Sequence, residues 1–325
     1  MAKIQYREAL RLALREEMLH DPLVFLMGEG IGERGGSNKV TDQLYEEFGL
    51  NRVIDTPISE ASFTGMGVGA AILGTRPVVE IMFIDFALLI MEQVVNQAAK
   101  YNFMSGGQGH VPLVIRTQGG VGNGLAGQHS QSLEALFYHI PGLKMVMPSS
   151  PYDAKGLLKS AIRDDDPVIF IEHKLLYRTE GEVPDKEYLI PLGKADIKRK
   201  GKDITLLSYS YMILKCLKAA EELAEEGIST EVLDLRTLVP LDKELILNSV
   251  KKTSRLIIVH EACKRGGVGG DIAAMVMEEA FDDLDAPVIR IAGKNTTIPF
   301  NINLEKVCIP TIGEIVAGVK SLLNK

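Results

Sequence analysis

Apolar positions along the chain follow two alternating patterns, a spacing of three to four residues and short continuous runs. Residues 7–20 carry an apolar helical stripe that ends at Asp21-Pro22, and the run LVFLM at 23–27 is typical of a buried strand. The same alternation continues up to the run PVIFIE at 167–172. Strands that alternate with helices of these lengths predict a parallel sheet covered by helices on both faces.

One stretch interrupts this alternation. Residues 178–203 are rich in charged residues, Gly and Pro, a composition typical of a connection between domains. After it, the runs ITLLSYS, TEVLDLR, RLIIVHEA and APVIRIAG alternate with helical patterns up to a last helix at 311–323. We therefore predict two doubly wound α/β domains, at 1–186 and at 203–325, joined by a linker at 187–202.

Composition and charge narrow the class of protein. The 325 residues are 46% hydrophobic with a net charge of -7, and scattered charge of this sign gives no basic surface for nucleic acid or anionic lipid. The most apolar run, at 77–95, is interrupted by three acidic residues, so we expect no membrane span. Cys216, Cys263 and Cys308 lie far apart in the sequence, and we expect reduced thiols in a cytoplasmic protein.

The stretch at 53–74 reads VIDTPISEASFTGMGVGAAILG and contains Glu60 between a turn and a run of small residues. Ser59 is a favourable N-cap, so a helix should begin there, with Glu60 in the first turn, where the helix dipole favours a carboxylate. The glycines and alanines that follow leave a nearly flat helix face that another backbone can approach. Glu60 is then either a favourable first-turn residue or a functional acid.

A glycine-rich loop follows the predicted strand at 111–116. Residues 119–127 contain five glycines, and GNGLAG at 122–127 satisfies GxGxxG, but the strand ends too early and the acidic residue of a dinucleotide site is missing. His129 follows in AGQHSQS. Because glycines let the backbone approach a ligand closely, His129 can reach a substrate, and a loop histidine bonded to backbone is the alternative.

The predicted helix at 151–163 ends in the acidic run Asp164-Asp165-Asp166. Carboxylates at a helix C-terminus repel one another and oppose the helix dipole, close to carbonyl oxygens that have no partner within the helix. Either a bound cation or a solvated acidic turn accounts for this run.

Several long motifs, in a fixed order along the chain, carry a family resemblance. They are DTPISE, EIMFIDF, AAKYNFMSGG, AGQHSQS, PGLKMVMPSSPYDAKGLLKSAIRDDDPV and LDLRTLVPLD. In these motifs the chain resembles the beta subunits of the thiamine-pyrophosphate-dependent decarboxylating component of 2-oxo acid dehydrogenase complexes, of the pyruvate, branched-chain or acetoin type. The resemblance covers essentially the whole chain. It implies a transketolase-like pyrimidine-binding domain followed by a smaller transketolase C-terminal domain.

The resemblance implies roles for four residues. The glutamate of TPISE, Glu60, hydrogen-bonds the ring nitrogen of the cofactor's aminopyrimidine and promotes its imino tautomer. This requires a carboxyl group in a water-poor setting, to which Ile58 contributes. Phe86 of EIMFIDF stacks on the aminopyrimidine, with core packing as the alternative. His129 of QHSQ faces the side of substrate and acyl transfer.

The acidic helix end matches a potassium site in some members of the family. The oxygen ligands that this match implies come from Leu113, Ala161, Ile162, Asp164 and Asp166. Position 166 is Asp where the pyruvate enzymes carry Asn, so this part of the pattern departs from the family.

A missing motif is equally informative. The cofactor's diphosphate is held in this superfamily through magnesium and a GDG motif, and this sequence contains no GDG. The resemblance therefore implies that an alpha subunit holds the magnesium diphosphate, in an α2β2 heterotetramer that passes an acyl group to lipoamide on an acyltransferase core. Without the alpha subunit, the chain should be inactive.

The substrate and two rival functions stay open. Pyruvate and acetoin fit the motifs about equally, with branched-chain oxo acids next. One rival is the C-terminal half of a split transketolase or of a deoxyxylulose phosphate synthase, which needs basic residues such as Arg116 for sugar phosphates. The other is a nicotinamide dehydrogenase, which rests on GNGLAG.

Overall fold

A computed structural model describes residues 2–323. Their contacts define two compact units. Unit 1 comprises the residues up to Gly119 together with Leu136–Leu192, and unit 2 comprises Gly120–Ala135 together with the residues from Gly193 onwards. The units therefore differ from the domains predicted from the sequence, because the glycine-rich loop packs with the second half of the chain. Both units are α/β, which confirms the predicted fold class.

The elements from residue 6 to residue 173 alternate as the sequence predicts, and a short strand that was not predicted lies on either side of them. In chain order they are β1 (Ala2–Gln5), α1 (Tyr6–His20), β2 (Val24–Gly28), α2 (Leu44–Phe48), β3 (Val53–Asp55), α3 (Glu60–Ile72), β4 (Arg76–Ile81), α4 (Ala99–Met104), β5 (Val114–Gly119), α5 (Glu134–Tyr138), β6 (Lys144–Val146), α6 (Pro151–Arg163), β7 (Val168–His173) and β8 (Glu180–Val183).

Six parallel strands of unit 1 lie in the order β6, β7, β5, β4, β2, β3. Every residue of β5 and of β7 is buried, as expected for central strands with helices on both faces. Strands β2 and β3 are neighbours, and Gly28 at the end of β2 is paired with Asp55 at the end of β3. The turns that follow these two strands therefore meet at one edge of the sheet.

The single long helix predicted at 86–104 is wrong in its detail. The structure has a 3₁₀ helix at Ile84–Ile90, a π-helix at Glu92–Ala98 and then α4. Ile84, Ala87 and Ile90 are buried, and this strict spacing of three suits a 3₁₀ helix, in which residues i and i+3 eclipse one another.

Unit 2 contains the remaining elements. In chain order they are β9 (Asp196–Arg199), β10 (Ile204–Ser208), α7 (Met212–Glu225), β11 (Thr230–Asp234), β12 (Thr237–Val239), α8 (Lys243–Thr253), β13 (Leu256–Cys263), α9 (Gly269–Glu279), β14 (Ile289–Gly293), α10 (Ile302–Lys306) and α11 (Ile312–Leu322).

The sheet of unit 2 has the strand order β14, β13, β10, β11, β9. Strand β9 is antiparallel to β11 and lies inside the predicted linker at 187–202, so part of that segment is an edge strand. The chain continues from β10 to β11 on one side and from β13 to β14 on the other side. The carboxyl ends of β10 and β13 therefore form a topological switch point. Among residues 2–323, no helix combines the length and the apolarity that crossing a bilayer requires.

Candidate active site

Helix α3 begins at Glu60, as the sequence predicts, and Ser59 is its N-cap residue. The hydroxyl of Ser59 donates to the hydroxyl of Ser62 at 2.8 Å instead of capping the helix. The Glu60 side chain is only 8% exposed. Its carboxylate lies at the positive end of the helix dipole, an environment that stabilises negative charge.

A second carboxyl group, Glu29, lies near Glu60 and was missed by the sequence reasoning. Burial raises the pKa of Glu29, and the charge of Glu60 raises it further. Its Oε1 atom is buried and has no hydrogen-bond partner within residues 2–323. The available signal was the parallel pairing of β2 with β3, because Glu29 follows the first strand and Glu60 follows the second.

Two more buried polar atoms on α3 and the π-helix lack partners in the part of the chain that the structure describes. They are Oγ1 of Thr64 and Oε1 of Gln93. Thr64 lies one helical turn after Glu60 and therefore on the same face of α3. Gln93 packs on α3 at Gly65, where an added Cβ would lie 3.5 Å from Gln93 Cγ. Buried polar groups are rarely left unpaired, so these atoms fit a site for a polar heterocycle.

The two other residues assigned to the cofactor lie in different settings. Ile58 precedes α3 and is 84% exposed, so its side chain is available to a ligand or to another chain. Phe86 lies on the 3₁₀ helix and is half-buried, with its ring edge-on to that of Phe83 at a centroid distance of 5.7 Å. This contact orients the ring of Phe86.

His129 belongs to unit 2 and lies in the glycine-rich loop, where its backbone N–H donates to the carbonyl of Ala126 at 3.3 Å. The next helix, α5, begins only at Glu134. The glycines of GNGLAG therefore do not open a helix, as a dinucleotide fingerprint does, and the nicotinamide alternative loses its support.

Each of the five residues assigned to potassium already has an oxygen paired with a protein N–H or ammonium group. Arg76 Nη1 donates to the carbonyls of Ile162 at 3.1 Å and Asp164 at 2.9 Å. The carbonyls of Leu113 and Ala161 accept the backbone N–H groups of Val168 at 2.8 Å and Asp164 at 3.3 Å.

The Lys144 ammonium group contacts the two carboxylates of this set, Asp164 Oδ1 at 2.7 Å and Asp166 Oδ2 at 3.0 Å. Burial lowers the pKa of Lys144, but the hydrogen bonds to Asp164 and Asp166 outweigh burial and leave the pKa raised. Side-chain cations thus supply the positive charge that the acidic run requires. Residues 2–323 contain no group of three or more His, Cys, Asp or Glu placed to hold a metal ion. Potassium at this position stays a prediction and has no part in the function proposed below.

Arg116, the basic residue considered for a sugar phosphate, forms ion pairs with two glutamates inside unit 1. Its guanidinium group donates to Glu172 Oε1 at 2.6 Å and Oε2 at 2.8 Å, and to Glu80 Oε2 at 2.6 Å. Arg116 is 3% exposed, so it does not reach a phosphate in solution. Its role is to join the neighbouring strands β4, β5 and β7.

Comparison with known proteins decides between the alternatives. The family models "Transketolase, pyrimidine binding domain" and "Transketolase, C-terminal domain" match residues 2–180 and 193–315. The pyruvate dehydrogenase E1 component subunit beta of Rhizobium meliloti is 49% identical over 100% of this chain and 71% of its own length. The corresponding subunit of Porphyra purpurea is 50% identical over 100% of this chain and 98% of its own.

The chain belongs to the pyruvate dehydrogenase E1 beta-subunit family. This confirms the resemblance found in the motifs and makes the chain a component of an oxidoreductase, in preference to the split transketolase alternative. A solved structure titled "Split gene transketolase, inactive beta4 tetramer" superposes with a TM-score of 0.81, covering 99% of this chain and 98% of that one. At 23% identity this likeness supports the fold alone.

Membership of the E1 beta-subunit family gives thiamine pyrophosphate as the cofactor in general terms. The structure brings Glu60 and Glu29 together within unit 1, with Thr64 one turn further along α3 and Gln93 on the π-helix that packs against α3. It places His129 in unit 2. We therefore assign a role to each of these side chains separately.

Proposed function

We propose that this chain is the beta subunit of a thiamine-pyrophosphate-dependent pyruvate dehydrogenase component. With an alpha subunit it decarboxylates pyruvate and transfers the acetyl group to lipoamide on an acyltransferase core. The observation that carries this proposal is the Glu60 carboxylate, which is 8% exposed at the start of α3 and interacts with Glu29, whose buried Oε1 atom lacks a partner within residues 2–323. The identity of about half of all positions to pyruvate dehydrogenase E1 beta subunits supports it.

Thiamine pyrophosphate, when bound, supplies the carbanion chemistry of the reaction. Glu60 holds a proton between its carboxylate and the ring nitrogen of the aminopyrimidine, which controls the tautomer of that ring. Exclusion of water strengthens this contact, because the hydrogen bond lies in a medium of low dielectric constant. The raised pKa of Glu29 supports such a site, since two carboxyl groups close together favour a state in which one of them is protonated.

Two aromatic or apolar side chains and one histidine complete the proposed set. Phe86 would stack on the aminopyrimidine and Ile58 would add apolar surface beside it, which would keep water from the Glu60 contact. His129 acts on the side of the substrate, where it orients the lipoyl group or moves a proton during acyl transfer.

The alpha subunit is required because this chain holds only half of the site. The sequence contains no GDG motif, so we assign the magnesium ion and the diphosphate to the alpha subunit. Exposed apolar side chains on α3, just before it, and on the helical segments after β4 support a large protein interface. We call these the apolar patch: Ile58, Met66, Leu88, Leu89, Phe103 and Met104. An α2β2 heterotetramer places the cofactor between unlike chains, where ligand sites often form.

Pyruvate is the proposed substrate because the curated relatives quoted above carry that name. The segment GEVPDKEYLIPLGKADIKR, which resembles acetoin-type sequences, makes acetoin the alternative. The proposed compartment is the cytoplasm. The three cysteines, which are free thiols in the structure, agree with a reducing environment.

The test is a reconstitution with the alpha subunit, thiamine pyrophosphate and magnesium. Pyruvate, acetoin and branched-chain oxo acids are assayed side by side, with this chain alone as the control. We expect turnover of pyruvate by the pair and none by the chain alone. Turnover by the chain alone, or of sugar phosphates by the pair, would overturn the proposal.

A further inference from the structure

Two carboxylates of unit 2 hold the glycine-rich loop that carries His129. We call residues 120–135 the histidine loop. Glu305 is fully buried, and its two oxygens accept the backbone N–H groups of Gly122 at 2.9 Å and Gly124 at 3.2 Å. One side chain thus fixes two peptide units just before the histidine.

Glu261 binds the loop on either side of these peptide units. Its Oε1 atom accepts the backbone N–H of Val121 at 2.7 Å and the hydroxyl of Ser132 at 3.3 Å. At the end of the loop, the hydroxyl of Tyr209 donates to Glu134 Oε1 at 2.8 Å. His129 therefore lies in a segment that side chains of unit 2 tie down on both sides.

The glycines of the loop allow it to lie directly on the rest of unit 2. Gly122 and Gly124 have φ values of 123° and 63°, a region that favours glycine. A Cβ at Gly124 would lie 3.0 Å from Ile302 Cγ1, and one at Gly127 would lie 2.5 Å from Thr297 Cγ2. The glycine run therefore serves close packing against residues 297–302, and a nucleotide is not needed to explain it.

The loop also occupies a recognisable place in the sheet of unit 2. Glu261 lies in β13, and Tyr209 directly follows β10, so both contacts lie at the carboxyl ends of the two strands that form the topological switch point. Open α/β sheets bind ligands in this crevice. Here the crevice binds a segment of the same chain.

We propose that Glu305 is a positioning residue for His129, with Glu261 as its support. The carboxylate of Glu305 fixes the glycine turn, and acyl transfer to lipoamide depends on that turn. This inference rests on the role proposed for His129. Glutamine has only one side-chain oxygen, and its NH₂ group would face an N–H donor in place of the second oxygen, so Glu305→Gln should release the turn while keeping the volume of the side chain.

The test uses the holoenzyme reconstituted with the alpha subunit, and two activities separate the steps. Pyruvate decarboxylation is measured with ferricyanide as the electron acceptor, and acyl transfer is measured as reductive acetylation of a lipoyl domain. We expect Glu305→Gln to lower kcat for acyl transfer at least tenfold and to leave ferricyanide-linked decarboxylation within about twofold. The exposed Glu278, in the same unit, gives the control variant Glu278→Gln, which should match the wild type in both assays.

A double variant shows whether Glu305 acts through His129. If it does, Glu305→Gln should have almost no further effect on acyl transfer in a His129→Ala background, because both changes remove the same function, that of His129. An unchanged transfer rate in the single variant, or losses that multiply in the double variant, would overturn the inference.

Hydrogen exchange gives a readout that does not depend on activity. In Glu305→Gln the amides of residues 120–132 should exchange faster, whereas those of α7 and α8 should keep their protection. Unchanged exchange in the loop would contradict the role of Glu305. If His129→Ala alone leaves acyl transfer intact, the proposed function of His129 fails, and the exchange experiment still decides whether Glu305 holds the loop.

Discussion

Glu29 and Glu60 follow neighbouring parallel strands, and the charge of Glu60 adds to burial in raising the pKa of Glu29. Glu60 is itself 8% exposed, and a carboxyl group with so little contact with water has the setting that proton transfer to a heterocycle requires. The raised pKa of Glu29 can also be measured, through the pH dependence of stability.

Replacement of Glu60 should abolish most activity without unfolding the protein. Glu60→Gln keeps the size of the side chain but removes the carboxylate that holds the proton, so kcat of the reconstituted enzyme should fall by about a hundredfold or more. The change is read as kcat at saturating pyruvate and cofactor, together with the melting temperature. Glu33→Gln, at an exposed position after β2, is the matched control. Wild-type turnover in Glu60→Gln would mean that Glu60 has no catalytic role and only stabilises the start of α3.

Burial of Glu29, together with the nearby charge of Glu60, should appear in the pH dependence of stability. The folded chain holds the proton of Glu29 more tightly than the unfolded chain, whose pKa is near the ordinary value of 4.5. The folded state therefore loses stability as the pH rises from that value through the raised pKa.

Glu29→Gln removes this loss, since glutamine carries no charge at any pH. The melting temperature of the cofactor-free complex, relative to the wild type, should rise between pH 5 and pH 8. Glu33→Gln should show no such trend. A constant difference across this range would mean that the folded chain does not raise the pKa of Glu29.

Local signals explain what the sequence predicted correctly. The start of α3 depends on Ser59 and Glu60 themselves, and the alternation of strands and helices depends on short apolar runs. The 3₁₀ and π-helical segments were missed because a long apolar run fits several helix types, and the buried spacing of three at Ile84, Ala87 and Ile90 becomes visible only with the burial of each residue.

Long-range contacts explain what the sequence left out. Glu29 reaches the site through strand pairing. The histidine loop joins unit 2 through bonds between residues that lie far apart in the chain, such as Gly122 with Glu305, 183 positions away. The acidic run at 164–166 indicated a need for positive charge, but only the structure identifies Arg76 and Lys144 as its source.

Loss of the buried arginine should destabilise unit 1. Arg116→Met removes the guanidinium group between Glu80 and Glu172 and leaves buried negative charge without compensation, which costs about 3–5 kcal/mol. The melting temperature of the complex should fall by about 6 °C or more. Arg178→Met, at an exposed position, should change it little. An equally small change in Arg116→Met would show that the ion pairs of Arg116 with Glu80 and Glu172 do not stabilise the fold.

The apolar patch should control assembly with the alpha subunit. Phe103 is 88% exposed at the end of α4, so Phe103→Glu introduces a charge at the surface without disturbing the core. If this surface is buried against another subunit, the charge loses its water and assembly weakens. We expect analytical ultracentrifugation of the variant mixed with the alpha subunit to show a smaller fraction of heterotetramer, with circular dichroism unchanged. Leu50→Glu, at a residue that is 67% exposed outside the patch, should assemble like the wild type. Full assembly of Phe103→Glu would place the subunit interface on another surface of the chain.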